Sequence, residues 1–260
     1  MDVDNRYGLL ERQTELLTLL KKFHKHCSNN GIVYSLDWGS LLGAVRHKGF
    51  IPWDGDIDIM VDRTNLEELI SSIAKNKELV IDNSSPRTIW IRRVYEAENN
   101  GLTGWNTYEI PSIDVFVIDN APDGRLARKV KLFEVLLLQG MTKVHIRLRK
   151  GNMLMKLCTV LTFFLGKLFS RETKLRWYDA VARRSNNKTT RQKTCYFEEI
   201  KCLGKYYPAN LLDSVITVPF EGTDVCVVKD YHQCLCVQFG DNYMTPPPES
   251  ERVANHIKKE

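Results

Sequence analysis

The chain has 260 residues, 37 Lys and Arg against 32 Asp and Glu, and 43% hydrophobic content, which excludes a disordered polymer and leaves room for a sizeable buried core. The net charge of +5 is unevenly spread: residues 125–193 hold 18 Lys and Arg against Glu134, Glu172 and Asp179, so that segment is +15 and the remainder −10. Such a block offers a basic surface to an anionic partner. The seven cysteines are odd in number and include no Cys-x-x-Cys pair. Cys195 with Cys202, or His232 with Cys234 and Cys236, lack the spacing of a usual zinc finger. Met1-Asp2-Val3-Asp4-Asn5 does not read as a secretory leader. The longest apolar run, Leu157 to Gly166, is too short to span a bilayer. The expected location is the cytoplasm, with at most peripheral contact at the inner face of the membrane.

In chain order, Leu9, Leu10, Gln13, Leu16, Leu17, Leu20 and Phe23 recur with helical period and predict a helix over 7–27, ending near Asn29-Asn30-Gly31. A strand over Ile32–Leu36 then leads to Gly39-Ser40. A Gly-Ser pair at a strand-to-helix corner lets backbone approach a phosphate, whose charge is met by free amide N–H groups. Arg46-His47-Lys48 follows the short helical pattern of Leu41, Leu42 and Val45. A run of cations is usually a solvated surface, but between a phosphate-binding turn and acids it suits a diphosphate. Asp54, Asp56 and Asp58 then alternate with Ile57, Ile59 and Val61, so Asp56 and Asp58 project from one strand face, about 7 Å apart. They repel unless a cation intervenes, and Mg²⁺ prefers carboxylate oxygen. A calcium loop would need Gly and Glu where Ile59 and Asn65 stand, and a Walker loop would need Gly-Lys-Ser/Thr where Gly43-Ala44-Val45 stands. The bland alternative is an acidic strand edge that deters aggregation.

A helix over 64–75 is predicted to open on the capping box Thr64-Asn65-Leu66-Glu67. Strands over Leu79–Asp82 and Thr88–Tyr95 follow, separated by Asn83-Ser84-Ser85-Pro86. In the second, Arg92 is the candidate to reach a phosphate, with Arg93 on the opposite face. Trp105 and Tyr108 in the loop 96–112 are candidates for a cation-π cage around a quaternary ammonium, although ordinary loop packing accounts for either ring alone. Ile113–Asp119 reads as an apolar strand interrupted by Asp114, an acid costly to bury unless paired or metal-bound; Asp119 is expected to cap the next turn. Residues 125 to about 185 read as helices over Leu126–Leu138, Met153–Phe169 and Arg171–Arg184. The wide apolar face of the second is expected to be core, or else to adsorb to an anionic membrane surface. Residues 185–194 read as a polar linker. Val215–Phe220 and Thr223–Val228 flank Glu221-Gly222 as a hairpin, and a helix over Tyr231–Phe239 stops at Gly240.

The stretch Gly39-Ser40-Leu41-Leu42-Gly43-Ala44-Val45-Arg46-His47-Lys48-Gly49-Phe50-Ile51-Pro52-Trp53-Asp54-Gly55-Asp56-Ile57-Asp58 resembles the signature of the LicD family of phosphocholine and related phosphotransferases. Ile113–Asp119 and the tail Phe239–Pro248 resemble the same family, and residues 125–195 resemble it least. The resemblance implies an α/β (α+β) nucleotidyltransferase-like mixed sheet flanked by helices. It divides the chain into a catalytic core (1–124), a basic helical segment facing acceptor or membrane (125–194) and a completing hairpin and helix (195–260). It further implies that Asp56, Asp58 and Asp114 hold one or two Mg²⁺ ions, or Mn²⁺ in their place, with Asp54 either assisting deprotonation or tuning the groups around the ions. Gly39, Ser40, Arg46, His47, Lys48 and Arg92 would grip donor phosphates. The implied reaction moves phosphocholine from a CDP-linked alcohol to a hydroxyl of a cell-surface glycan or glycolipid and releases CMP, with no nucleic acid partner. Gly55 departs from the Asp that many members carry there. Two rival readings fit the same residues: a nucleotidyltransferase that passes on the nucleotide itself, and a noncatalytic adaptor that binds glycan or membrane through its basic segment.

Overall fold

The computed structural model describes residues 5–82, 91–99, 110–143, 153–198, 200 and 202–254, except the side chains of Leu154 and Met155. The cage candidates Trp105 and Tyr108, the turn 83–86 and the start of the strand predicted from Thr88 lie outside them. The fold is mixed α/β, a curled mixed sheet flanked by helices.

Helix α1 (Leu10–Asn30) buries Leu16, Leu19, Leu20, Phe23 and Cys27 along one stripe and ends at Gly31, whose φ of 67° is the left-handed cap. Only Ser35–Leu36 of the predicted first strand pairs, as β1, because the N–H of Val33 is drawn off to Asn65 Oδ1. Helix α2 (Trp38–Arg46) follows directly. Strand β2 (Ile57–Asp62) pairs antiparallel with β1 on one edge and parallel with β5 (Ile113–Ala121) on the other. Ile57, Ile59 and Val61 are fully buried, and each contributes about 1.5–3 kcal/mol of apolar burial, so the alternate residues must face the other way.

Between β2 and β5 come helix α3 (Arg63–Ile73) and strands β3 (Leu79–Asp82) and β4 (Arg92–Glu96). The cap of α3 is the Asp62 carboxylate, which accepts the Asn65 N–H at 2.8 Å, and not Thr64 as the capping-box pattern predicts. An ionised acceptor so placed also meets the positive end of the helix dipole. The sheet runs β1-β2-β5-β4-β3.

Helices α4 (Arg125–Thr142), α5 (Met153–Lys167) and α6 (Arg171–Arg183) follow. Part of the polar stretch predicted as linker is instead strand β6 (Gln192–Cys195), which pairs antiparallel with the last residues of β5 and with β7 (Tyr207–Pro208). Asp119 does not cap a turn. It lies buried within β5, joined to Arg63 at 2.5 Å and to Asn186 Nδ2. The hairpin β8 (Val215–Phe220) and β9 (Thr223–Val228) turns on Glu221-Gly222, both at positive φ, and α7 (Tyr231–Phe239) ends at Gly240. The core expected from α5 does not form: Leu157, Leu161, Phe164 and Leu165 are exposed.

Inside the α4–α6 junction, the Lys131 ammonium donates to the Ala182 carbonyl at 2.8 Å and lies over the Tyr196 ring. Burial pulls its pKa down from 10.5 to about 8. Between those values the unfolded chain binds the extra proton, so this group makes stability rise with pH. Across pH 8 to 10.5 the native protein should therefore gain stability relative to Lys131→Met, read from urea midpoints.

Candidate active site

The carboxylates converge because two parallel strands are in register. Asp58 on β2 lies opposite Asp114 on β5, and partners in a parallel ladder project to the same face. Asp56 and Asp54 stand just before β2. Burial raises the Asp58 carboxyl well above its ordinary range, and the charges of Asp56, Asp114, Asp54 and Asp37 add to the effect. Burial likewise raises Asp54, reinforced by the charge of Asp56 and a hydrogen bond to that side chain. Four acids thus share one pocket of negative potential.

The start of α2 is built around them. Asp37 caps the helix, accepting the Trp38 N–H at 2.9 Å and Gln238 Nε2 at 2.5 Å, while burial pushes its carboxyl up to about 6. The Asp37 N–H donates to the Asp58 carbonyl, and the Asp58 N–H donates to Ser40 Oγ, both at 2.9 Å. Ser40 therefore positions the acidic strand through its hydroxyl. Gly39 supplies space, since a Cβ there would collide with Asp54 Oδ2. Gly39→Ala should displace that carboxylate and lower turnover by about 10²-fold, the scale of a 1 Å misplacement. Its thermal midpoint should hold or rise, because Ala favours the helix; a fall in both turnover and midpoint would point to general unfolding instead.

Three side chains that sequence reasoning passed over complete the surroundings. Arg93, not Arg92, faces the acids: it lies opposite Asp114 across β4–β5 and its Nε meets Asp114 Oδ1 at 2.8 Å, both groups largely buried. Arg92 lies instead in the field of Asp179, Arg63 and Arg183. From α1, Arg12 donates through Nε to the Gly55 carbonyl at 2.5 Å and feels the charges of Asp56 and Asp114. Gln13 Nε2 donates to the carbonyls of Asp54 at 2.8 Å and Ile51 at 3.3 Å. Gln13 interrupting the leucine stripe of α1 was the one available signal. Arg12 carried none.

Arg46, His47 and Lys48 lie at the opposite end of α2 from Gly39 and Ser40, about 10 Å along the axis. Arg46 Nη1 donates to the Tyr243 carbonyl at 2.9 Å, and the His47 ring packs edge-on to Trp53. The Lys48 carbonyl accepts the Glu221 N–H at 3.0 Å, and Glu221 Oε1 accepts the Phe50 N–H at 3.1 Å. These contacts fasten the 46–50 loop to the β8–β9 turn and the tail.

Among the described residues, no three His, Cys, Asp or Glu side chains stand in a metal-holding array. The Asp114 oxygen is spent on Arg93. The donor set nonetheless fits a hard divalent cation: it is all carboxylate oxygen, and burial together with the neighbouring acids raises the proton affinity of Asp54 and Asp58.

Residues 31–120 match the family model described as LicD/FKTN/FKRP, nucleotidyltransferase domain. The lipopolysaccharide cholinephosphotransferase LicD of Haemophilus influenzae is 26% identical over 96% of this chain and 97% of its own length. Uncharacterized proteins of Rickettsia typhi and Rickettsia prowazekii are 46% and 38% identical over 21% and 23% of this chain, and over 18% and 24% of their own. The family match spans α2, β2, the loop before it and most of β5, which together carry all four acids, and the likeness to the Haemophilus enzyme runs nearly end to end, so this chain is similar to LicD proteins both around the acids and over most of its length.

Proposed function

We propose that this chain is a transferase of substituted phosphate groups that moves phosphocholine from CDP-choline to a hydroxyl of a cell-surface glycan. The observation that carries the reading is the in-register pair Asp58 and Asp114 with Asp54 and Asp56 beside them. The relative matched over nearly its whole length is a cholinephosphotransferase acting on lipopolysaccharide, which supports the choice of group and acceptor class.

The acceptor oxygen forms a bond to the choline-bearing phosphorus, the bond from that phosphorus to the bridging oxygen breaks, and CMP leaves with the bridging oxygen. Asp54, whose pKa is raised by burial and by the charge of Asp56, takes the hydroxyl proton. Asp56, Asp58 and Asp114 would hold Mg²⁺, which when bound neutralises phosphate charge. Arg12 and Arg93, beside the acids, meet the diphosphate oxygens. Ser40 and Gly39 hold Asp58 and Asp54 in place.

The test is product analysis with purified protein, CDP-choline, Mg²⁺ and a glycan acceptor. Free CMP should appear in step with choline on the acceptor and should vanish on chelation. Nucleotide retained on the acceptor would make the chain a nucleotidyltransferase, and release of no CMP from any CDP-linked alcohol would sink the phosphotransferase reading.

A further inference from the structure

Helix α5 is an anomaly in this fold. Its sequence, MLMKLCTVLTFFLGK, is mostly apolar and contains no acid, yet Gly166 alone is buried, and none of its described side chains is. Gly166 lies against the Met141 backbone and Gly140 against Thr162, so α5 touches α4 through glycines and presents most of its bulk outward. Leu157, Leu161, Phe164 and Leu168 follow the spacing i, i+4, i+7, i+11, a single stripe, and are 54%, 60%, 61% and 75% exposed. Val130 and Phe133 of α4 are exposed as well. A soluble monomer seldom leaves so large an apolar surface open without a use for it.

We propose that this α4–α5 surface seats the chain on an anionic lipid bilayer, with α5 lying in the interfacial plane. At 15 residues the helix is about 22 Å long, short of the roughly 30 Å hydrocarbon core, and no described helix is long and apolar enough to cross a membrane. Lys156 and Lys167 on α5 and Arg171 and Arg176 just beyond it are exposed cations beside the stripe. Apolar residues with a basic flank are the chemistry of interfacial helices. The same charge argues against a second copy of this chain as the occupant. Residues 125–193 are +15, so two such faces repel each other, whereas acidic headgroups attract either one. The inference does not depend on which phosphate group the acids transfer.

The experiment is flotation of the purified full chain with vesicles of phosphatidylcholine alone or with one-third phosphatidylglycerol. Partition into the anionic vesicles should be at least about tenfold greater and should fall in about 0.5 M salt, where charges are screened within a few ångströms. The double variant Leu161→Glu/Phe164→Glu, at exposed positions, should keep its thermal midpoint and lose about tenfold in partition. Lys156→Glu/Lys167→Glu should lose the preference for anionic vesicles. Equal binding to both vesicle types, binding that survives the Leu161/Phe164 changes, or a solution dimer that those changes dissociate would each overturn the proposal.

Discussion

Asp58→Asn is expected to cut turnover by at least about 10²–10³-fold, the scale on which loss of one preorganised charge-stabilising group is felt, while leaving the fold at least as stable. Asp58 is half-buried, its carboxyl is raised by desolvation and by four neighbouring acids, and its backbone is clamped from both sides by Asp37 and Ser40. Removing its charge relieves repulsion without touching the clamp. About 1 kcal/mol shifts the midpoint of a chain this size by roughly 2–4 °C, so a rise of a few degrees should be visible in calorimetry. The sign with pH follows. A carboxyl whose folded pKa lies above its ordinary 3.8 makes the native state bind the extra proton, so stability is lost as pH rises above that value. The slope should be shallower in the Asn variant. A variant that keeps normal turnover would remove Asp58 from the reaction, and a lowered midpoint would contradict repulsion among the acids.

Arg93→Met is expected to have the largest effect on stability. The guanidinium and Asp114 form a largely buried pair at 2.8 Å, and breaking such a pair by removing one partner costs about 3–5 kcal/mol, because the survivor is left as an uncompensated buried charge. Here the survivor also belongs to a cluster of like charges. Asp114→Asn added to Arg93→Met should recover most of the loss, as a double-mutant cycle between contacting residues would show. If Asp114 is a cation ligand, Mg²⁺ should raise the midpoint of Arg93→Met more than that of the native chain, since the ion then replaces the lost positive charge. An equal Mg²⁺ response in both proteins would exclude Asp114 from the ion's ligands. Turnover should fall as well, because Arg93 is one of two guanidinium groups beside the acids.

The acids were legible in the sequence because they interrupt apolar strands, and alternation leaves such residues only one face to occupy. The cations were not. Arg92 and Arg93 are adjacent on one strand, and which of them meets Asp114 depends on the register of β4 against β5, a long-range pairing that no local pattern encodes. Arg12 reaches the site because α1 crosses the 51–56 loop, again a consequence of packing between distant segments. Arg46-His47-Lys48 stand at the far end of α2 from Gly39 and Ser40, with the His47 ring against Trp53, the residue before Asp54. Helix α5 misled in another way: apolar periodicity predicts a buried face without saying what covers it, and here α5 meets α4 at Gly140 and Gly166 while Leu157, Leu161, Phe164 and Leu165 stay exposed.

From the sequence alone came the LicD resemblance, together with the alternation that puts Asp58 and Asp114 on apolar strands, the Gly39-Ser40 corner ahead of them and the Glu221-Gly222 hairpin, the last three being features fixed within a few residues by backbone stereochemistry and burial. Tertiary structure alone decided that Asp58 and Asp114 stand side by side, that Arg93 and Arg12 are the cations beside them, that Ser40 holds a strand N–H, and that α5 faces outward. Those outcomes turn on strand register and on how helices cross, where residues far apart in the chain compete for the same partner and the winner is set by the packing of the whole sheet.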